Sequence, residues 1–274
     1  MVRIIVDSTA DLRPETRQRV GVVTLTVHFG KEEYVDGVDL TGPEFYKKLA
    51  VCRELPTTSQ AAPYVFAEAF EEAVEAGDTV VCIVVSSALS GTCQSAMIAA
   101  ADYPGKVYVV DSRSIAIGLG ILTEYALELS DRGMDAASIA AELNTVKKMV
   151  RLFAVVDTLE YLQRGGRLSK TVAIAGGMLS VKPIITLEDG IIKMAGKARG
   201  SKQANALMDA KVLEQGIDWD KPCMLGYTGT DEELLQKYRA QSEIWTGDVF
   251  STIVCGVVGT HAGPGAVAVA FFSK

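Results

Sequence analysis

The stretch that decides the fold is Thr79-Val80-Val81-Cys82-Ile83-Val84-Val85, followed by Ser86-Ser87-Ala88-Leu89-Ser90-Gly91-Thr92. The first part is a continuous apolar run, which is typical of a strand that is buried on both faces. The residues from 93 to 101 then have the composition of a helix. The hydroxyl-rich loop therefore lies where unpaired helix N–H groups and the helix dipole favour an anion. Capping of the helix by Ser87 or Ser90 is the alternative interpretation.

The rest of the first half repeats this order of apolar strand, polar loop and helix, beginning with Val2 to Val6 and including Lys106 to Val110. Such alternation favours a parallel sheet with helices on its faces. In the second half, Glu188-Asp189-Gly190 separates two strand-like segments and indicates an antiparallel hairpin. We therefore predict an α/β fold with a parallel-sheet N-terminal domain, residues 1–158, and an α+β C-terminal domain, residues 159–274.

Three further segments bear on function. Residues 22–29 are rich in β-branched side chains and predict one strand, while residues 55–60 predict a loop. In that loop Thr58 and Ser59 are either site hydroxyls or caps of the helix that starts at Pro63. Residues 249–258 predict a strand, followed by the loop Gly259-Thr260-His261-Ala262-Gly263-Pro264-Gly265. Its glycines and proline predict a rigid turn that aims His261 at a ligand.

Composition excludes several classes of function. The chain has 274 residues, 49% of them hydrophobic, and a net charge of −7 without a basic run, which argues against a nucleic acid partner. Five cysteines without a Cys-x-x-Cys pair indicate reduced thiols, and two histidines without ligand spacing predict no metal site. Without a signal peptide or a long apolar run, we expect a cytoplasmic protein with no integral membrane association.

Five motifs occur together along the whole chain: DSTADL at 7–12, TSQ at 58–60, SSALSGTCQSA at 86–96, LEYLQRGGRLS at 159–169 and GTHAGPG at 259–265. In this order and spacing they resemble the DegV family. These are bacterial fatty-acid-binding proteins that serve as subunits of a fatty acid kinase system. The resemblance implies one long-chain fatty acid, such as palmitate, in an apolar tunnel between or beneath the two domains. The first domain would bind the head group and the second would complete the pocket.

The resemblance also implies roles for five residues. Thr58 and Ser90 would hold the carboxylate, and His261 would approach the same group with its protonated form favoured by the anion. Arg167, in the Gly-Gly-Arg turn, and Arg199 would serve the head group or the docking of a kinase partner. The fatty acid would be the only ligand, with no cofactor, and a separate kinase subunit would carry out the chemistry.

Two enzymatic alternatives remain from the residues alone. Ser90 and His261 could form a serine hydrolase site with Asp7 or Asp111 as the orienting carboxylate. Ser90 lies in Leu-Ser-Gly-Thr, however, and not in a Gly-x-Ser-x-Gly elbow. A phosphotransferase would be expected to carry Gly-x-x-x-x-Gly-Lys-Ser/Thr, which the sequence lacks. We therefore predict a binding and carrier protein without catalytic residues of its own.

Overall fold

The computed structural model describes residues 1–168 and 180–274, so Ser169, the last residue of the motif at 159–169, lies outside the described residues. The described strands form a four-stranded, a three-stranded and a six-stranded sheet. With their helices, the two larger sheets stack as alternating layers of helix and sheet. The predicted α/β fold is confirmed.

The first sheet is entirely parallel, with the order β2-β1-β6-β7. Its strands are β1 (Val2–Asp7), β2 (Gly21–Val23), β6 (Thr79–Val84) and β7 (Val107–Asp111). Side chains alternate across it, because Val81 and Ile83 join the core on one face while Cys82 and Val84 join the core on the other. The continuous apolar run in β6 follows from this burial on both faces.

Helices cover both faces of the parallel sheet. They are α1 (Pro14–Arg17), α3 (Pro63–Glu75), α4 (Thr92–Ala100), α5 (Ala116–Asp131) and α6 (Ala136–Val146), the last followed by a 3-10 turn at Lys147–Met149. Helix α5 packs against strands of both large sheets, which explains why most of its side chains are buried.

A small antiparallel sheet, with the order β4-β3-β5, corrects two predictions. Its strands are β3 (Thr26–Phe29), β4 (Glu32–Val35) and β5 (Thr57–Ser59), and helix α2 (Gly42–Val51) lies between the last two. The predicted single strand at 22–29 is broken because Leu25 N–H bonds to Ser8 Oγ and Leu25 C=O to Asp36 N–H. Within the segment predicted as a loop, 57–59 is a strand because it pairs with β3.

The six-stranded sheet has the order β10-β9-β8-β13-β11-β12 and is antiparallel except for the pair β11–β12. Its strands are β8 (Val150–Val155), β9 (Val181–Glu188), β10 (Ile191–Arg199), β11 (Met224–Tyr227), β12 (Ser251–Ile253) and β13 (Val267–Phe272). Strands β9 and β10 form the predicted hairpin. Since β8 also pairs in this sheet, the sheet draws on residues before position 158; the domain division there stays a prediction.

The remaining described helices are α7 (Glu160–Arg164), α8 (Gly200–Gln215), α9 (Glu233–Gln241) and α10 (Gly256–Ala262). The predicted strand at 249–258 is confirmed only for β12, because helix α10 replaces its last residues and the first part of the predicted loop at 259–265. A Cβ atom on Gly259 would lie 2.5 Å from Tyr46 Oη, so this glycine permits the close packing of a helix. Along residues 1–168 and 180–274, no helix combines the length and the apolar character that a membrane span requires.

Candidate functional site

A cavity of about 390 Å³ lies between the six-stranded sheet and the carboxyl ends of the parallel strands. On the sheet side its wall is apolar and includes Leu152, Ala154 and Ala268. On the other side are Thr9 after β1 and Leu89 after β6. This edge of a parallel sheet is where α/β folds bind ligands, and residues from both halves of the chain line the cavity.

Three residues stand where the cavity reaches the surface. Thr58, Arg167 and His261 line both the apolar cavity and an outer depression of about 600 Å³, which we call the vestibule. The vestibule is also lined by charged side chains, among them Arg53 and Arg164. The cavity is therefore apolar along its length and polar at the end that opens into the vestibule.

His261 lies in the last turn of α10 and its Nε2 atom is 2.9 Å from Thr58 Oγ1, although 203 residues separate the two in sequence. Its Nδ1 atom is buried without a hydrogen-bond partner among the described residues. Burial, with a smaller effect of the nearby Arg167 charge, lowers the pKa of His261 to about 4. The ring is therefore neutral near pH 7 in the protein without a bound anion, and protonation of His261 beside a carboxylate stays a prediction.

Two buried carboxyl groups hold the start of α10. Asp11 Oδ1 accepts a hydrogen bond from Cys255 N–H at 2.9 Å, and Asp36 Oδ1 accepts one from Gly256 N–H at 3.1 Å. Burial raises the pKa of Asp36 to about 6 and that of Asp11 well above its usual range, with the neighbouring Asp36 adding to the rise. These contacts anchor the helix that carries His261.

Ser90 lines the same cavity, directly before α4. Its Oγ is 2.9 Å from Thr92 Oγ1 and accepts a hydrogen bond from Thr92 N–H at 3.2 Å. His261 instead bonds Thr58, so the described contacts do not join Ser90 to His261. The serine hydrolase alternative is not supported.

The structure also shows whether the hydroxyls of Ser87, Thr58 and Ser59 cap helices. Ser87 donates its hydroxyl to Asp111 Oδ2 at 2.6 Å rather than capping α4. The N-cap residue of α3 is Ala62, without a side-chain cap, so neither Thr58 nor Ser59 caps that helix. The Thr58 hydroxyl is thus directed to the site and not to the end of a helix.

Arg167 is partly buried at the polar end of the cavity. Its Nε donates to Leu89 C=O at 3.1 Å and its Nη1 donates to Gly165 C=O at 2.6 Å, so one residue of the cavity wall and one of the vestibule position the guanidinium. Gly166, directly before Arg167, has a φ of 71°, which allows a tight turn at this position. Arg199 is exposed at the end of β10 and is not among the described residues that line the cavity.

Gln60 is a cavity residue that the sequence did not single out, although it is the third residue of the TSQ motif. Its Nε2 donates to Ser95 Oγ at 3.1 Å and thereby ties the segment after β5 to helix α4. A Cβ on Gly91 would lie 2.0 Å from Gln60 Oε1, so the glycine leaves room for this amide. Across residues 1–168 and 180–274, no group of three or more His, Cys, Asp or Glu residues could hold a metal.

An apolar cavity that ends in hydroxyl, imidazole and guanidinium groups defines a class of protein that can enclose an elongated small molecule with one polar end. The comparisons with known proteins agree with this class. The chain belongs to the DegV family: the family model described as "Uncharacterised protein, DegV family" matches residues 1–274.

Relatives match over nearly their full length. A DegV domain-containing protein of Caldanaerobacter subterraneus subsp. tengcongensis is 38% identical, covering 100% of this chain and 99% of the relative. A DegV family protein from Thermus thermophilus, described as fatty acid binding, is 32% identical with a TM-score of 0.88, covering 100% of this chain and 99% of that one. A stearic acid-binding protein from Eubacterium ventriosum is 28% identical with a TM-score of 0.85, covering 100% and 99%.

Proposed function

We propose that this protein binds one long-chain fatty acid and carries it without catalysing a reaction itself. The observation that carries the proposal is the 390 Å³ apolar cavity, which is lined by Ser90 and opens at its polar end beside Thr58, Arg167 and His261. Its volume lies in the range of about 300–1,000 Å³ that is usual for small-molecule sites. Fatty acid binding by the Thermus thermophilus and Eubacterium ventriosum relatives supports the same ligand class.

The acyl tail would provide most of the affinity. Each buried methylene contributes about 0.8 kcal/mol, so roughly a dozen contribute about 10 kcal/mol before the cost of association is subtracted. A hydrogen bond to the carboxylate adds about 1.5–3 kcal/mol. In this arrangement Thr58, Ser90, His261 and the Arg167 charge determine which end of the ligand faces the vestibule.

The vestibule supports the second part of the proposal, which is presentation of the carboxylate to a partner kinase. The three residues at the polar end also line this open depression, so a reagent could reach the head group from outside while the tail stays buried. Arg167 would bind the head group or contact the kinase, and exposed Arg199 would serve docking. All five cysteines are free, which suits a carrier in the reducing cytoplasm.

Mass spectrometry of ligand extracted from the denatured protein tests the ligand class. We expect a co-purified long-chain fatty acid, and a protein that neither retains nor takes up such an acid would contradict the proposal. The kinase step is tested separately, by asking whether a fatty acid kinase forms acyl phosphate only when this protein is present.

The first prediction concerns the two hydroxyls. Thr58→Ala and Ser90→Ala should each weaken binding of a fluorescent fatty acid by about tenfold, and the double variant should bind more weakly than either, because each change removes a donor to a charged group. Ser87→Ala, which alters a hydroxyl of the same loop that bonds Asp111, is the matched control. Wild-type affinity in a folded double variant would remove both residues from the site.

A further inference from the structure

A second, larger cleft of about 830 Å³ lies where the six-stranded sheet meets the turn after α6. It shares only Leu152 and Leu187 with the apolar cavity and none of the residues at the polar end. Leu152 and Leu187 therefore form a wall between the two spaces. The cleft is lined mainly by polar and charged side chains, so it requires an explanation other than an acyl tail.

Basic side chains outnumber acidic ones in this cleft, although the whole chain has a net charge of −7. The acidic lining residues are Glu188, Asp189 and Glu214. The basic lining residues are Arg113, Lys147, Lys148, Arg151 and Lys211. They come from four separate parts of the chain: the loop after β7, the 3-10 turn, β8 and α8. The cleft is thus locally cationic on an acidic protein.

Most of this positive charge is not neutralised within the fold. Arg113 pairs with Asp189 at 3.2 Å, while the other four basic residues form no ion pair with the described residues. Residues 169–179 contain no aspartate or glutamate that could supply one. An excess of positive charge in a partly enclosed cleft favours an external counter-charge.

Lys147 and Arg151 are the two cations that burial affects. Lys147 Nζ donates to Asp111 C=O at 2.8 Å and to Asn144 Oδ1 at 2.7 Å, and Arg151 Nε donates to Gln215 Oε1 at 2.9 Å. These neutral acceptors orient both groups without cancelling their charges. Burial lowers the pKa of each, against a smaller opposing effect of the Asp111 carboxylate on Lys147.

We infer that this cleft is a binding site for a compact multivalent anion of the phosphate type, with Lys147 and Arg151 as its central donors. Arg151 Nη1 donates to the carbonyls of Lys148 and Val150, which leaves Nη2 without a partner among the described residues, and the Lys147 ammonium adds a second positive charge. The cleft exceeds the size of one phosphate group, so it suits a diphosphate or a phosphate ester. The site is separate from the proposed fatty acid site.

Calorimetric titration with inorganic pyrophosphate tests this inference on the full chain. We expect saturable binding that weakens with added salt, and a decrease of about tenfold in affinity for Lys147→Gln and for Arg151→Gln. Glu214→Gln, which removes a negative charge from the cleft, should strengthen binding. Lys237→Gln, which alters an exposed lysine paired with Glu233 on α9, is the matched control.

Thermal unfolding of every variant separates loss of binding from loss of folding. If Arg151→Gln does not fold, the anion site is still tested by the other two variants. Lys147→Gln should weaken pyrophosphate binding, and Glu214→Gln, at an exposed residue, should strengthen it. Absence of pyrophosphate binding at millimolar concentration would overturn the inference. Equal weakening by Lys237→Gln would also do so, as would equally tight binding of succinate, a dicarboxylate.

Discussion

His261 and Arg167 give the polar end of the cavity one neutral and one charged group. The imidazole is neutral because it is buried close to the guanidinium, which lowers its pKa to about 4. The guanidinium stays charged and is held by two backbone carbonyls. In the proposed site, charge neutralisation of the carboxylate therefore falls to Arg167, whereas His261 and Thr58 offer directional hydrogen bonds.

This difference in charge between His261 and Arg167 predicts how fatty acid binding depends on pH. His261→Ala should weaken fatty acid binding by about tenfold, and the ratio of wild-type to variant affinity should stay constant from about pH 6 to pH 8.5, above the lowered pKa. His28→Ala, which alters the other histidine, bonded to Ser59 on the small sheet, is the control. A ratio that grows as the pH falls from about 7.5 to 6 would instead indicate that the bound ring is charged.

The raised pKa of Asp36 predicts how the stability of the folded protein depends on pH. Its pKa of about 6 in the folded state exceeds the unfolded value of 3.8, so its contribution to stability is complete below about pH 4 and is lost as the pH rises through 6. The loss amounts to about 3 kcal/mol. Asp36→Asn should therefore gain stability relative to wild type by about this amount between pH 4 and pH 7, measured by urea unfolding.

Asp78 provides the control, because its substitution should change the stability in the opposite direction. Hydrogen bonds from the N-terminal amine, with the nearby Arg3, lower the pKa of Asp78. Asp78→Asn should consequently lose stability relative to wild type as the pH rises through the acidic range. If Asp36→Asn followed the same direction as Asp78→Asn, the raised pKa of Asp36 would be wrong.

At the scale of elements, the sequence predicted those whose pattern is local. The apolar run of β6 and the Asp189-Gly190 turn of the β9–β10 hairpin can each be recognised within a few residues. Strand β5 could not be, because its three hydroxyl-rich residues become a strand only by pairing with distant β3.

Helix α10 shows why the site was only partly predictable. The motif identified His261, but its glycines indicate a loop by composition, and long-range contacts with Asp11, Asp36 and Tyr46 make the segment helical. The pairing of His261 with Thr58 follows from the position of this helix, so it could not be read from either motif alone. Gln60 was missed for the same reason, since its partner lies in α4.

Gly259 provides the test of this packing. A Cβ there would lie 2.5 Å from Tyr46 Oη and 2.7 Å from Phe45 Cε1, so Gly259→Ala should destabilise the protein by about 1–3 kcal/mol despite the better helix propensity of alanine. Fatty acid affinity should fall as well, because α10 carries His261. A more stable variant would contradict the close packing.

A double-mutant cycle with Tyr46→Phe locates the clash. Because Tyr46→Phe removes the atom nearest to the added methyl group, the two changes together should cost less than the sum of the single costs, even though the hydroxyl also donates to Val254 C=O at 3.1 Å. Strict additivity of the unfolding free energies would place the strain elsewhere in the helix.

At the scale of the whole molecule, the cavity exists because two sheets face each other across a gap that α5 fills only in part. Part of the cavity wall consists of small side chains: Ala154 on β8 is the direct cross-strand partner of Ala268 on β13, and both line the cavity. At another part of the wall, Leu152 and Leu187 separate the cavity from the cationic cleft. The dimensions of the cavity depend on how the layers of helix and sheet pack together, and no local pattern of the sequence predicts that packing.

This arrangement predicts two opposite changes in ligand preference, provided that the acyl tail occupies the cavity. Ala268→Leu replaces a methyl group of the cavity wall with an isobutyl group that fills part of the cavity, so it should shift the bound fatty acids toward shorter chains. Leu152→Ala removes part of the wall and should shift them toward longer chains, at a stability cost of about 2–5 kcal/mol.

Competition with a series of saturated fatty acids measures both shifts against wild type. Leu213→Ala, at an exposed leucine of α8, changes a leucine outside the cavity and should leave the preference unaltered. Because the predicted shifts have opposite signs, a general loss of folding cannot mimic them. If both variants shifted the preference in the same direction, or neither changed it, the acyl tail would not lie against Ala268 and Leu152.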